Sequence, residues 1–556
     1  MMKNLNTVLS GKLIFIFICL CSMSNALHSQ YTNTYNGVNY NSTRPYNLNV
    51  VYFVPNDIAL DTSYKARLSA IMLWGQNFVK QNMISNGYGA KTFGLFTENS
   101  NPNSIKIILI HGSQPSSAYP YNNYGQLNTE VNNYFANNPS QKTSEHILII
   151  TATASLATAN VPFYGIGRTC FALDYPDFNI QNLGTNPFTT WFGGLVHELG
   201  HGLNLPHSHE TNTENGDPNK GMNLMFAGNS TLGASPTFIN RAGAAILNNS
   251  QTFADTSGVR YDGHSASFSS IHTAYNNGIL TVSGTFQSNK TVKDINIYQD
   301  PYETPSAGYY RTAWSAAPVG NTYSISMPVS ELSTTTNEAY NLQIELVLEN
   351  GEIEFVYFPF SYTNGVPDIN VNFDGVSACV GNSLQFTTNL SGTAYRWQYL
   401  SGGGWYNYPE GATAAATYTN TQTSTMVISN ISSAYIPTPN TVRVAVTQAD
   451  GSMKYGGVQT WKAIDCSTLA TSETKENKDQ NVYPNPVKDE LNVNLGSSGK
   501  QFQIEIYSTD GKIIYQTISK EKTLKIPFSD KPTANYVVVI KNTANNSTKS
   551  FKIVKK

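Results

Sequence analysis

The stretch GGLVHELGHGLNLPHSH, Gly193 to His209, limits what this chain can fold into more than any other, because it holds four of the nine histidines at unequal spacings. His197 and His201 are four apart, so on a helix of about 3.6 residues per turn they project from one face a turn apart. Phe192, Leu195, Val196, Leu199 and Leu203 recur at helical intervals, and Thr189 and Thr190 stand where an N-cap is needed. Gly202, Asn204 and Pro206 oppose continuation. Asn is the non-glycine residue that most readily takes the left-handed conformation of a sharp turn, and such a turn carries His207 back towards the first two rings. Three neutral imidazoles with an open fourth position make the catalytic kind of zinc site. Glu198 reaches the open side without being a ligand, which suits a general base that takes a proton from zinc-bound water and passes it to the leaving amine. His209 lies beyond the third ligand and is expected at the surface or a pocket rim. His28, His111, His146, His264 and His272 are expected to be structural or exposed.

Around this segment the chain alternates strand and helix. LNVVYFV (48–54), IKIILI (105–110) and HILIIT (146–151) are β-branched runs of the kind buried on both faces of a sheet. A long helix with Asp61 as N-cap is predicted through Leu68, Ile71, Met72, Phe78 and Val79 to a stop at NGYG, and a second over about Leu127–Ala136. Residues 27–260 are therefore expected to form an α/β catalytic domain.

HELGHGLNLPH resembles the metzincin zinc-peptidase signature H-E-x-x-H-x-x-G-x-x-H, with Asn204 where that pattern has glycine. By layout the resemblance spans roughly residues 47–250. It implies a zinc endopeptidase with His197, His201 and His207 as metal ligands, Glu198 as base and a methionine turn beneath the metal. GMNLMFAG (221–228) offers Met222 and Met225, and the Asn-Leu before Met225 makes it the better match. SPTFINRAGAAILNN matches the family's closing helix. The resemblance also implies an extended substrate paired with an edge strand beside the zinc, for which PFYGIGRTCFA (162–172) is the candidate. Tyr164 in that stretch either lines the cleft or packs the strand.

From 261 to 366 the pattern turns to alternation. LQIELVLENGEIEFVYF reads as two strands joined by a two-residue turn at Asn350-Gly351, and a β-sandwich is predicted. Residues 367–466, with Trp397 and a turn at Asp450-Gly451, look like an immunoglobulin-like module with a cysteine at each extreme end. A Cys379–Cys466 bridge would close a loop of roughly 90 residues and constrain the unfolded chain by about 4 to 5 kcal/mol on the loop-entropy model. That leaves Cys170 as a lone thiol, expected as a small buried hydrophobe. Residues 467–480 are polar, charged and without aromatics, the composition of a flexible linker.

The two ends concern export. Lys3 and Lys12, the apolar run Leu13–Leu20 and Ser24-Asn25-Ala26 read as a secretory signal over residues 1–26, too short in its apolar part to span a bilayer. VYPNPVKDELNV, IEIYSTDGKIIYQ (with a turn at Asp510-Gly511) and YVVVIK resemble the C-terminal sorting domain of type IX secretion substrates in Bacteroidetes, over 481–556. The resemblance implies the type IX secretion machinery as a partner and a secreted or surface-attached product.

A net charge of -2 with 13% charged residues gives no basic surface for nucleic acid or an anionic membrane. The predicted activity is hydrolysis of peptide bonds in extracellular proteins or glycoproteins. Two other readings stay open: a surface adhesin or glycan-binding protein with a silent peptidase-like domain, and a zinc hydrolase acting on a non-peptide bond. Glu214, Asp217 and their neighbours in ETNTENGDPN are either calcium donors or an ordinary polar loop.

Overall fold

The computed structural model describes residues 30–121, 123–153, 163–174, 178–186, 188–301, 308–371, 376–401, 404–436, 440–466, 480–496, 499–508, 512–544 and 547–556. The expected signal segment, nearly all of the linker, His28 and the Asp510-Gly511 turn lie outside these residues. The chain divides into two compact units; the first holds the described residues up to Val371 with two later segments, 388–395 and 443–459, and the second holds the rest.

The first unit is organised on a five-stranded sheet. Its elements are β1 (Asn49–Val54), α1 (Tyr64–Ser85), β2 (Ile108–His111), α2 (Gly125–Asn137), β3 (Ile147–Thr151), β4 (Phe163–Ile166), β5 (Thr169–Leu173), α3 (Phe188–Gly202) and α4 (Arg241–Asn249). The strand order is β2-β1-β3-β5-β4, parallel except for β4, which runs antiparallel to β5 at the edge. Every residue of β1 and β3 is buried because helices cover both faces. Val50, Tyr52 and Val54 meet Leu68, Ile71 and Met72 of α1 and Phe192, Leu195 and Leu199 of α3, whereas Val51 and Phe53 meet Leu127, Val131 and Phe135 of α2.

Several boundaries differ from expectation. Asp61 does not cap α1; its carboxylate accepts from Ser63 and Arg67, and the helix begins at Tyr64. Arg67 also pairs with Asp174 at 2.9 Å, so Asp61 serves a charge cluster rather than the helix end. The run from Ile105 enters the sheet only at Ile108, since Ile105 N–H donates to Ser69 Oγ and Lys106 N–H to the Phe96 carbonyl. Thr189 and Thr190 lie inside α3, which starts one residue earlier. PFYGIGRTCFA is a hairpin, not one strand: Gly167 (φ +56°) turns the chain, and the edge is β4 alone.

An all-β part follows within the same unit: β6 (Ser267–Asn276), β7 (Ile279–Gln287), β8 (Val292–Pro301), β9 (Thr312–Ala316), β10 (Thr322–Pro328), β11 (Ala339–Leu348), β12 (Ile353–Thr363) and β13 (Val366–Pro367). They form two sheets, β6-β7-β10 and β9-β8-β11-β12-β13, around Ile271, Leu280, Ile295, Leu342, Ile344 and Phe360. The turn between β11 and β12 has three residues rather than two: Leu348 N–H donates to Glu352, Gly351 N–H donates to Leu348, and Gly351 takes φ +86°. This sandwich is joined to the α/β part by packed side chains. Val347 belongs to the α/β core, Asn296 Nδ2 donates to the Ala242 carbonyl of α4 at 3.2 Å, and the Tyr88 hydroxyl donates to Asp294 at 2.8 Å.

The second unit contains the Cys379–Cys466 disulfide, a four-stranded sheet built from 384–387, 411–412, 417–419 and 425–429, and a buried Trp397 whose ring lies 6.3 Å from Phe386. Residues 481–556 form a three-stranded and a four-stranded antiparallel sheet around Val487, Leu491, Ile504, Val538 and Ile553. Cys170 is buried and unbridged. Among the described residues, no helix is long and apolar enough to cross a membrane. Replacing Cys379 and Cys466 together by serine is expected to destabilise the module they close by about 2 to 5 kcal/mol, read by chemical denaturation, with α/β unfolding unchanged.

Candidate metal centre

α3 lies against its neighbours closely because small residues face them. A Cβ on Gly200 would sit 2.6 Å from Met225 Sδ, so the buried Met225 fits under the helix only where Gly200 leaves room. Met222 lies elsewhere, half-buried in a two-residue parallel strand pair with Thr237 and Phe238. The helix then ends as the sequence demands. Asn204 takes φ +73°, Asn204 N–H donates to His201 and Leu205 N–H to Gly200, both at under 3 Å.

This turn brings His207 to the other two. The ring nitrogens that His197, His201 and His207 offer lie within 4.8 Å of one another, and His201 Nε2 is 3.1 Å from His207 Nε2. His197 Nδ1–H donates to the Leu224 carbonyl at 2.7 Å and His201 Nδ1–H to the Leu205 carbonyl at 2.8 Å. Those bonds fix the tautomers and leave both Nε2 lone pairs aimed at the shared space, the orientation that backbone carbonyls impose on metal-ligating imidazoles. Burial lowers the His197 pKa to about 4, with His201 adding to the effect, and burial lowers His201 as well. Both shifts favour the neutral ring, the form a ligand must take. The donor set of three imidazoles fits zinc.

Glu198 follows His197 on the same helix, and its charge acts on Tyr309, whose ring lies on His207. Burial pushes its carboxyl up to about 7, near the pKa at which a general base works best at neutral pH. The edge strand β4 runs beside it: a Cβ on Gly165 would stand 3.2 Å from Glu198 Oε2 and 3.4 Å from His201 Cβ. Tyr164 of β4 stacks on Phe171 at 4.7 Å and meets Tyr121 edge-on at 5.0 Å. The Tyr121 hydroxyl is buried with no hydrogen-bond partner among the described residues, and burial followed by the Glu198 charge raises its pKa.

Other groups were hidden from sequence reasoning because their partners are distant in the chain. His146 is fully buried: Nδ1 donates to the Gly202 carbonyl at 2.6 Å, and Nε2 accepts from the Tyr261 hydroxyl at 2.7 Å. It supports the turn that ends α3. Tyr309 and Tyr310 come from the sandwich; Tyr309 stacks on His207, and Tyr310 lies 5.8 Å from His209. His209 is half-buried, 4.3 Å from Phe226, with its backbone N–H donating to the Arg311 carbonyl. His111 is exposed, His264 lies 4.0 Å from Glu354, and His272 is half-buried in β6. Glu214 closes a capping box with Thr211 and pairs with Lys220, while Asp217 accepts from Asn219.

The raised Glu198 pKa has a definite sign. A carboxyl whose folded pKa lies above its unfolded value contributes stability fully below about pH 4.5, and that contribution is lost as pH rises through about 7. In metal-free protein, Glu198→Gln is therefore expected to be more stable than the parent at pH 8 by on the order of 2 kcal/mol after allowance for solvent screening, with the gap closing below about pH 5 in urea titrations.

Residues 481–556 match the family model for the secretion system C-terminal sorting domain, so the chain is exported to the cell surface or secreted. No curated protein matches the chain. The crystal structure of catalytically inactive OgpA from Akkermansia muciniphila, in complex with an O-glycopeptide (glycodrosocin) substrate, is similar over 62% of this chain and 98% of that one, with 31% identity and a TM-score of 0.54. Wild-type OgpA in two crystal forms matches at 32% and 33% identity, again over 62% of this chain and with a TM-score of 0.54, covering 99% and 98% of those chains. With nearly the whole of OgpA matched at this identity, the chain belongs to the OgpA family.

Proposed function

We propose that this protein is a secreted zinc-dependent endopeptidase of metzincin type that cleaves O-glycosylated proteins. The observation that carries the reading is the convergence of three imidazole donors beside a buried carboxyl on one helix and its closing turn. The left-handed Asn204 and the placement of Met225 under α3 support the metzincin assignment. The substrate class is supported by OgpA, whose inactive form was solved with an O-glycopeptide substrate.

His197, His201 and His207 would hold the zinc, which when bound supplies a Lewis acid for the scissile carbonyl and a more acidic water. Glu198 would serve as the general base for the attacking water and then as the acid for the leaving nitrogen, a role its pKa of about 7 suits in both directions. Among the described residues β4 is paired on one side only, with β5, which leaves an edge beside Glu198 on which an extended peptide can add as a strand, and Gly165 carries no side chain over the carboxyl. Tyr164, the residue before Gly165, packs the strand against Phe171 and Tyr121 with the core cluster on the α2 face of the sheet.

Matched peptides with and without a single O-glycan on Ser or Thr test this directly. The expected result is cleavage of the glycosylated peptide by the wild type and a loss on the order of 1,000-fold in Glu198→Gln, with zinc content equal in both. Equal cleavage of the bare peptide would remove the glycan from the reading, and full activity in Glu198→Gln would remove the general base.

A further inference from the structure

The third histidine of the centre is covered by a residue of the sandwich, not of the α/β part. The Tyr309 ring lies on His207 with centroids 3.6 Å apart and planes 23° from parallel, and it is 6.5 Å from the His197 ring at 17°. His207 itself follows the turn at Asn204 and belongs to no helix or strand, so the direction of its ring is set by its side-chain contacts, of which the Tyr309 stack is one. A flat aromatic face in stacking contact restricts rotation of an imidazole about its side-chain bonds.

Tyr309 is in turn held from behind. Gly308 takes φ +77°, and the space its missing Cβ leaves is filled by the Arg311 guanidinium. Arg311 pairs with Asp300 at 3.4 Å and lies 5.8 Å from the Tyr298 ring, both on β8. The Arg311 carbonyl accepts from His209 N–H at 2.7 Å, and Thr312 bridges to His209, so this loop is pinned to the chain two residues beyond His207. β8 is itself fixed to α4 through Asn296 and Ala242. The path from sandwich core to third imidazole is thus continuous.

We propose that Tyr309 is a positioning residue for His207, so that the metal centre is completed by the sandwich and binds zinc tightly only when the Tyr309–Arg311 loop is docked. The inference rests on the reading of His197, His201 and His207 as zinc ligands. It is a statement about metal affinity and is testable without substrate.

The full-length protein and its Tyr309→Ala, Tyr309→Phe and Arg311→Lys variants would be titrated with Zn2+ against a chromophoric chelator. Tyr309 is half-exposed, so the Ala variant should keep its fold, checked by circular dichroism. Zinc affinity is expected to fall about tenfold or more in Tyr309→Ala, to stay within about twofold in Tyr309→Phe, which keeps the stacked face, and to weaken in Arg311→Lys, whose side chain does not touch a histidine. Parent-like affinity in Tyr309→Ala would overturn the inference while leaving the ligand assignment standing. A Phe variant as weak as Ala would overturn the stacking argument. A parent that binds no zinc would overturn the ligand assignment and this inference together.

Discussion

The peptide of Leu205 is tied at both ends, and the candidate centre depends on it. Its N–H closes the end of α3 on Gly200, and its carbonyl accepts the Nδ1 proton of His201. One bond turns the chain so that His207 approaches; the other turns the His201 ring so that Nε2 points inward. Neither is possible unless Asn204 adopts a positive φ, a conformation that costs an ordinary side chain roughly 1 to 2 kcal/mol and Asn less. Support from below reduces the freedom of this turn further, since His146 donates to Gly202 and is itself held by Tyr261. The His197 and His201 rings are thereby oriented by bonds to backbone carbonyls, whereas His207 lies against the Tyr309 ring.

Much of this was legible in the sequence because it is local. Helical periodicity from Phe192 to Leu203, the four-residue spacing of His197 and His201, and the helix-opposing residues between His201 and His207 are all physical statements about neighbours in the chain. The β-branched runs likewise announced the sheet, and the three cysteines of 27–556 announced the one disulfide. Boundaries were less legible where tertiary charge pairs intervened, as with Asp61, which Arg67 and Ser63 claim. The hairpin at Gly167 was missed because Gly-Arg carries a weaker turn signal than Asn-Gly or Asp-Gly.

What could not be read was everything contributed across long sequence separations. Tyr309 lies about a hundred residues beyond His207, in a segment whose alternating pattern spoke only of a sandwich, and nothing in its neighbours marks it as facing a histidine. Tyr121 was hidden for the same reason, and His146, expected to be structural or exposed, is structural, but its partners Gly202 and Tyr261 could not be read. The sandwich is part of one compact unit with the α/β part, shares core residues with it, and lays Tyr309 on His207. This agrees with the span of the OgpA match, 62% of the chain, which is longer than the α/β part alone.

Zinc K-edge X-ray absorption on the purified full-length protein tests the central claim most directly. The account predicts stoichiometric zinc with three imidazole nitrogens at about 2.0 to 2.1 Å and one further light-atom ligand, and disappearance of the bound metal when His207 is replaced by Ala. Zinc bound through sulfur, or an unchanged spectrum in His207→Ala, would contradict it.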